Sequence, residues 1–435
     1  MRGPLAVGAV LAASLSTVSA QACAAGTAQQ IGGNWYCSAV DSITYTNFGS
    51  SGTYNEVTSM GGGSCSSKAK EYSGPLAPLN EEVSWHFRGP LSLKKFAYYT
   101  PGSSSKKREV KPSIHERRHG HQHLHKRQDT KEEGKRAVGD IVTATIDGQV
   151  VTWVNEYDGG AGPTPAPELP KNDYKAPKKG SQTTTARRST PSFNAGAGSW
   201  GRQAFYDAEG GEADGLTFLN HNGGSGSGVF DYEFGNSLSY SSPDGCAGAD
   251  SPKVLANKLI PDNKEVIIMS DKKCKGGDCG TVRPGTVAYH GFGGNNKIFL
   301  VELSMPLTGK TGWNEDMPAA WILNAAIPRT LQYGKAECSC WSTGCGELDV
   351  LEILDAGNTR AKSTLHGGVS GGDSNYFKRP SDGAKKYAVV FNGDESTAHI
   401  KTLPDNFDFS TTLSDAAIDD ILSDGASAST FALGS

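Results

Sequence analysis

Between about Ser192 and Thr412 the chain is a succession of short apolar, β-branched runs broken by Gly, Asn and Asp. Glu265-Val266-Ile267-Ile268-Met269 and Lys297-Ile298-Phe299-Leu300-Val301-Glu302-Leu303 are representative. No long stretch repeats its apolar residues every 3.6 positions until Ala416 to Leu422. A chain that carries its apolar residues this way can bury them in strands and not in helices. About 220 such residues predict one all-β domain, a concanavalin-like β-jelly roll or β-sandwich. The 55 Gly and 21 Pro among 435 residues supply turns. They fall short of the roughly 25–30% share that marks low-complexity chains.

Charge and flanking segments narrow the class. A net charge of −4 gives the whole molecule no electrostatic footprint for nucleic acid. Arg2, the apolar run from Leu5 to Val18 and the small residues Val18-Ser19-Ala20 predict a signal peptide over 1–20, hence secretion. No later segment is apolar enough to span a bilayer, and the small, polar tail from Ser423 to Ser435 predicts no lipid anchor. Nine Cys suit an oxidising compartment, and disulfides are favoured over metal ligation at Cys274-x4-Cys279 and Cys338-x-Cys340-x4-Cys345. Cys23, Cys37 and Cys65 form an odd early group, so one of them is unpaired or bridges elsewhere.

Composition then divides the chain. Residues 21–102, rich in Gly, Ser, Tyr and Thr, predict a small Gly-rich β module. Residues 103–137 are basic and His-rich, without apolar periodicity. A metal-binding tract and a polyanion-binding patch compete there with a protease-accessible linker, the favoured reading. Lys126-Arg127 and Lys135-Arg136 are candidate sites for a processing protease. Asp147-Gly148 between alternating runs predicts a β-hairpin over 138–158. A Pro, Lys and Thr-rich linker follows over 159–191, then the main domain over 192–412, and a helix and tail over 413–435.

The segment Gly346-Glu347-Leu348-Asp349-Val350-Leu351-Glu352 places three acids inside an apolar, β-prone run. In a strand Glu347 and Asp349 share a face while Leu348 and Val350 enter the core. Glu352 has the wrong parity for that face, and one β-bulge after Asp349 would re-aim it. Carboxylates so clustered repel, so at least one pKa should rise, giving an acid and a nucleophile at the same pH. A solvated edge strand and a calcium site are the competing readings. Trp313, Trp321, Tyr333 and Trp341 precede the acids and are candidate platforms for sugar rings, Trp341 foremost. His366 is a candidate to bond the substrate or the nucleophile.

Glu347-x-Asp349-x-x-Glu352 resembles the bulged signature of family-sixteen glycoside hydrolases, the laminarinase group. Asp316-Met317-Pro318-Ala319-Ala320-Trp321-Ile322-Leu323 and Ser363-Thr364-Leu365-His366-Gly367 resemble its two neighbouring strands. With Trp200 to Gly245, the Cys-Ser-Cys-Trp block and Pro284 to His290, the chain is most similar to the fungal secreted wall proteins called "target of SBF". That resemblance implies a cell-wall enzyme acting on β-1,3-glucan, with Glu347 as nucleophile, Glu352 as general acid/base and Asp349 as the residue that tunes the nucleophile. A retaining endo-1,3-β-glucanase is the expectation; a transglycosylase and a non-catalytic glucan-binding wall protein are the alternatives. The loop from Cys338 to Cys345 departs from the wider family and is expected to be disulfide-pinned and to reshape the cleft. No cofactor or metal is implied: Gly196-x-Gly198-x-x-Gly201 matches a dinucleotide fingerprint but follows a linker, not a strand.

Overall fold

A computed structural model describes residue 23, residues 28–102, the strands Ile141–Ile146 and Gln149–Val154, and residues 200–434. The two strands pair antiparallel with Ile146 opposite Gln149, the register of the expected two-residue hairpin. The expected signal peptide, the protease sites and the linker residues 103–137 and 159–191 lie outside the described residues. Among the described residues, no helix is long and apolar enough to cross a membrane.

Two large sheets confirm the all-β expectation, one of nine strands and one of ten. The core between them is built by alternation. On Val83–Arg88, Val83, Trp85 and Phe87 point inward and meet Phe96 and Phe299 from the opposing sheet. The intervening Ser84, His86 and Arg88 therefore take the outward face of the ten-stranded sheet. The helix Asp415–Leu422 caps the other side of the molecule. Ile418, Ile421 and Leu422 pack on Tyr99, Leu300 and Val390 of the nine-stranded sheet, and Ser414 Oγ accepts from the Ala417 amide at 3.2 Å.

The sheet order corrects the expected domain division. Residues 21–102 do not form a module of their own. Ser92–Pro101 lies between Trp200–Asp207 and Asn296–Ser304 in the nine-stranded sheet. Val83–Arg88 lies between Glu265–Ser270 and Ala319–Asn324 in the other. Ser42–Thr46 is flanked by Thr397–Leu403 and, in parallel, by the C-terminal strand Ala428–Ala432. Leu93, Phe96, Trp85 and Phe87 are core residues shared with 200–434, so a fragment beginning at residue 192 lacks central strands of both sheets. The composition break at residue 103 therefore does not separate two folded units, because described strands from both sides of it interleave in the same sheets.

Two early hairpins do stand apart from both sheets, Gln29–Ile31 with Asn34–Tyr36 and a longer one beside the acids' face. Gly52–Gly61 and Ser64–Tyr72 pair as a hairpin that packs Tyr54 and Tyr72 against Trp321, Leu323, Ile327 and Trp341 on the outward face. Cys65 near its tip is disulfide-bonded to Cys338, which resolves the odd early cysteine. The other pairs are Cys23–Cys37, Cys274–Cys279 and Cys340–Cys345, and Cys246 is free.

Candidate active site

The three acids lie on Glu347–Glu352, between Ala319–Asn324 and Arg360–His366. Toward the second neighbour Asp349 faces Thr364 while Glu352 faces Lys362, so three steps on the acid strand oppose two on its partner. Toward the first, Trp321 pairs with Asp349 and Ala320 with Leu351, the same irregularity seen from the other side. This is the expected β-bulge, at Val350 and Leu351. Both of those residues and Leu348 enter the core, and the extra residue returns Glu352 to the face of Glu347 and Asp349. A simple acidic edge strand is ruled out, because the strand is interior to its sheet.

Gly346 leads the chain into this strand at φ +105°, a conformation side chains rarely adopt, and an added Cβ would lie 2.9 Å from Leu79. Just before it, the Cys340–Cys345 disulfide closes a short loop with a 3₁₀ turn at Trp341–Thr343. Thr343 Oγ1 accepts from the Asn55 amide of the hairpin at 2.9 Å. The loop thus carries Trp341 to the acids, where its indole Nε1 donates to Glu347 Oε2.

Each acid has its own surroundings. Glu347 keeps partial exposure, yet burial is the first cause that pushes its pKa well above the ordinary carboxylate value. The Asp349 charge adds to this, His366 and the Trp341 indole pull against it, and Glu352 pushes further up. Asp349 is buried, with its Oδ2 3.1 Å from His366 Nε2. Glu352 Oε1 lies 3.8 Å from Arg88 Nη2 across the small residue Ala319, which pairs with both. His366 pairs in register with Glu347 but bonds Asp349, so within the described contacts it touches the buried acid rather than the expected nucleophile.

The aromatic candidates separate. Trp341 is half-buried beside Glu347, and its ring lies 6.3 Å from that of His366. Tyr333 is 58% exposed, and Trp313, 72% exposed, is tied by its carbonyl to Asn263. Trp321 is only 5% exposed and is corrected from a platform to a packing residue. Its covering comes from Tyr54 of the hairpin and from Cys340 and Cys345, all distant in sequence.

A second polar cluster on the same face gave no sequence signal, because its members are scattered along the chain. Glu265 Oε1 lies 2.7 Å from His86 Nδ1 and accepts from Gln332 Nε2 at 3.0 Å, while Oε2 accepts from the Tyr333 hydroxyl at 2.7 Å. His221 Nε2 stands 3.7 Å from the same carboxylate and 2.9 Å from Gln332 Oε1. Burial opposes ionisation of Glu265, but His221 and His86 outweigh it and hold the carboxyl far below its usual range. Burial likewise works against a charged His221, and Glu265 overcomes it and raises the pKa.

The fold and site define a class: a β-sandwich whose outward sheet face carries a bulged cluster of three acids, walled by a hairpin and a disulfide-closed loop. The chain belongs to the family described as cell wall protein YJL171C/Tos1, whose C-terminal part matches residues 198–421 and N-terminal part residues 41–101. A relative from Arthroderma benhamiae, named a probable circularly permuted 1,3-beta-glucanase, is 50% identical over 100% of both chains. Relatives of the same description named TOS1 come from Saccharomyces cerevisiae (41% identical, 91% of this chain, 93% of the relative) and Candida albicans (39%, 92% and 94%). No solved structure matches the chain.

Proposed function

We propose that the protein is a secreted, retaining endo-β-1,3-glucanase of the cell wall. The observation that carries this reading is the bulge, which gathers Glu347, Asp349 and Glu352 on one outward face and surrounds them with different partners. The names of the relatives supply the substrate class, β-1,3-glucan. Their description as circularly permuted also suits a chain whose early strands sit in the middle of sheets otherwise built from 200–434.

In the proposed reaction Glu352 protonates the leaving glycosidic oxygen as the Glu347 carboxylate attacks the anomeric carbon, breaking the bond between that carbon and the leaving oxygen. Water, deprotonated by the Glu352 carboxylate formed in that step, then attacks the glycosyl-enzyme and releases Glu347. Attack by a sugar hydroxyl instead gives transfer. Burial first, and then the Asp349 charge, raises the Glu347 pKa. Asp349 thus adds to this bias by charge, and its contact with His366 keeps it oriented. Trp341 steadies the nucleophile and offers its ring to the sugar.

Release of reducing ends from laminarin by the intact chain tests the proposal, and sizing the products separates hydrolysis from transfer. A folded protein that binds laminarin and neither cleaves nor elongates it would instead be a glucan-binding wall protein.

A further inference from the structure

We propose that Glu265 is a positioning residue for glucan binding, acting through Tyr333; the inference rests on the glucan reading of the acid site. Glu265 closes the outward row Lys362, Glu352, Ala319, Arg88, Glu265 defined by strand register, so it shares the face of the acids. It grips Tyr333 with one carboxylate oxygen and His86 with the other. The Tyr333 hydroxyl donates to Oε2 at 2.7 Å, and the rings of His221 and Tyr333 meet in a T-shaped contact with centroids 5.3 Å apart. A tyrosine 58% exposed would otherwise rotate freely; held at both its hydroxyl and its ring, it presents a fixed apolar face.

The second grip runs through His86. Its Nδ1 meets Glu265 Oε1 at 2.7 Å and its Nε2 meets Ser84 Oγ at 2.8 Å, so the ring is locked from both ends. That ring stacks on Trp321 with centroids 5.2 Å apart and planes 30° from parallel. Trp321 in turn is the register partner of Asp349. Fixing the exposed Tyr333 ring before the sugar arrives removes an ordering cost that binding would otherwise bear.

The test uses the intact chain carrying Glu347→Gln, which binds without turnover, and laminarihexaose as ligand in calorimetry. Adding Glu265→Gln should weaken binding about tenfold, Tyr333→Phe should do about the same, and the two together should do little more, since they cut one connection. In the otherwise native enzyme Glu265→Gln should raise KM for laminarin by more than it lowers kcat. Unchanged affinity in Glu265→Gln, or losses that add in the double variant, would overturn the positioning role. Should Glu265→Gln fail to fold, Tyr333→Phe alone decides, and native affinity in it refutes the proposal. A parent that binds the hexamer while the native chain never cleaves glucan would sink the catalytic reading and leave this inference standing. No binding by any form would end both.

Discussion

Glu347 and Glu265 occupy the same outward sheet face, on strands separated by the Ala319 and Val83 strands, and their environments drive them in opposite directions. Glu347 sits among carboxyls, and burial with the charges of Asp349 and Glu352 raises its pKa. Glu265 sits among His86, His221, Gln332 and Tyr333, and its two histidines outweigh burial and keep it ionised. One residue type on one surface therefore meets two opposite environments. The proposed reading assigns chemistry to the carboxyl whose pKa is raised and anchoring to the one held ionised.

The largest expected contrast is in turnover. Glu347→Gln and Glu352→Gln should each lower reducing-end release from laminarin by about a thousandfold or more, with circular dichroism unchanged. Azide should partly rescue Glu347→Ala, because a small anion can replace the nucleophile. Glu265→Gln should stay far more active than either acid variant. Equal losses at the two sites would erase the distinction drawn between them.

Stability should separate the same residues with opposite pH slopes. A raised pKa in the folded state means that Glu347 supports folding at low pH and loses that support as pH rises through the raised value. Glu347→Gln should therefore stabilise the protein at neutral pH and do little in acid. The depressed pKa of Glu265 supports folding above its unfolded value and is lost as pH falls toward the folded one. Glu265→Gln should cost about 1–3 kcal/mol at neutral pH, and less as the medium becomes acidic. Thermal melts of both variants across pH would reveal this crossing, and parallel curves would show that the environments do not differ as described.

Smaller effects sharpen the acid side of the comparison. Asp349 pushes the Glu347 pKa up and His366 pulls it down. In kcat/KM profiles the acidic limb, read as ionisation of Glu347, should move to lower pH in Asp349→Asn and to higher pH in His366→Ala. Trp341→Phe, which removes the indole donor to Glu347, should move it slightly upward. A limb that ignores all three changes belongs to another group.

What the sequence disclosed follows from the range of the interactions involved. The bulge was legible because parity is local: Glu347 and Asp349 agree with alternation, Glu352 does not, and Leu348 and Val350 must reach the core. The terminal helix was legible for the same reason. Strand partners are not local. Ser92–Pro101 reads as a strand by itself, but nothing in it specifies neighbours at Trp200 and Asn296, so composition alone suggested a separate module. Trp321 looked like a platform because its cover, Tyr54 and the Cys340–Cys345 loop, arrives from elsewhere in the chain. The Glu265 cluster draws on positions 86, 221, 265, 332 and 333, a spacing that no motif records.

The central claim is that the bulge makes Glu347 and Glu352 a nucleophile and acid/base pair working by double displacement. The most direct measurement is proton NMR of the anomer first released when the intact protein cleaves laminarin, read before mutarotation. Two displacements at one carbon return the starting configuration, so the account predicts a β-anomer. Initial appearance of the α-anomer would mean a single displacement by water and would contradict the assignment of Glu347 as nucleophile.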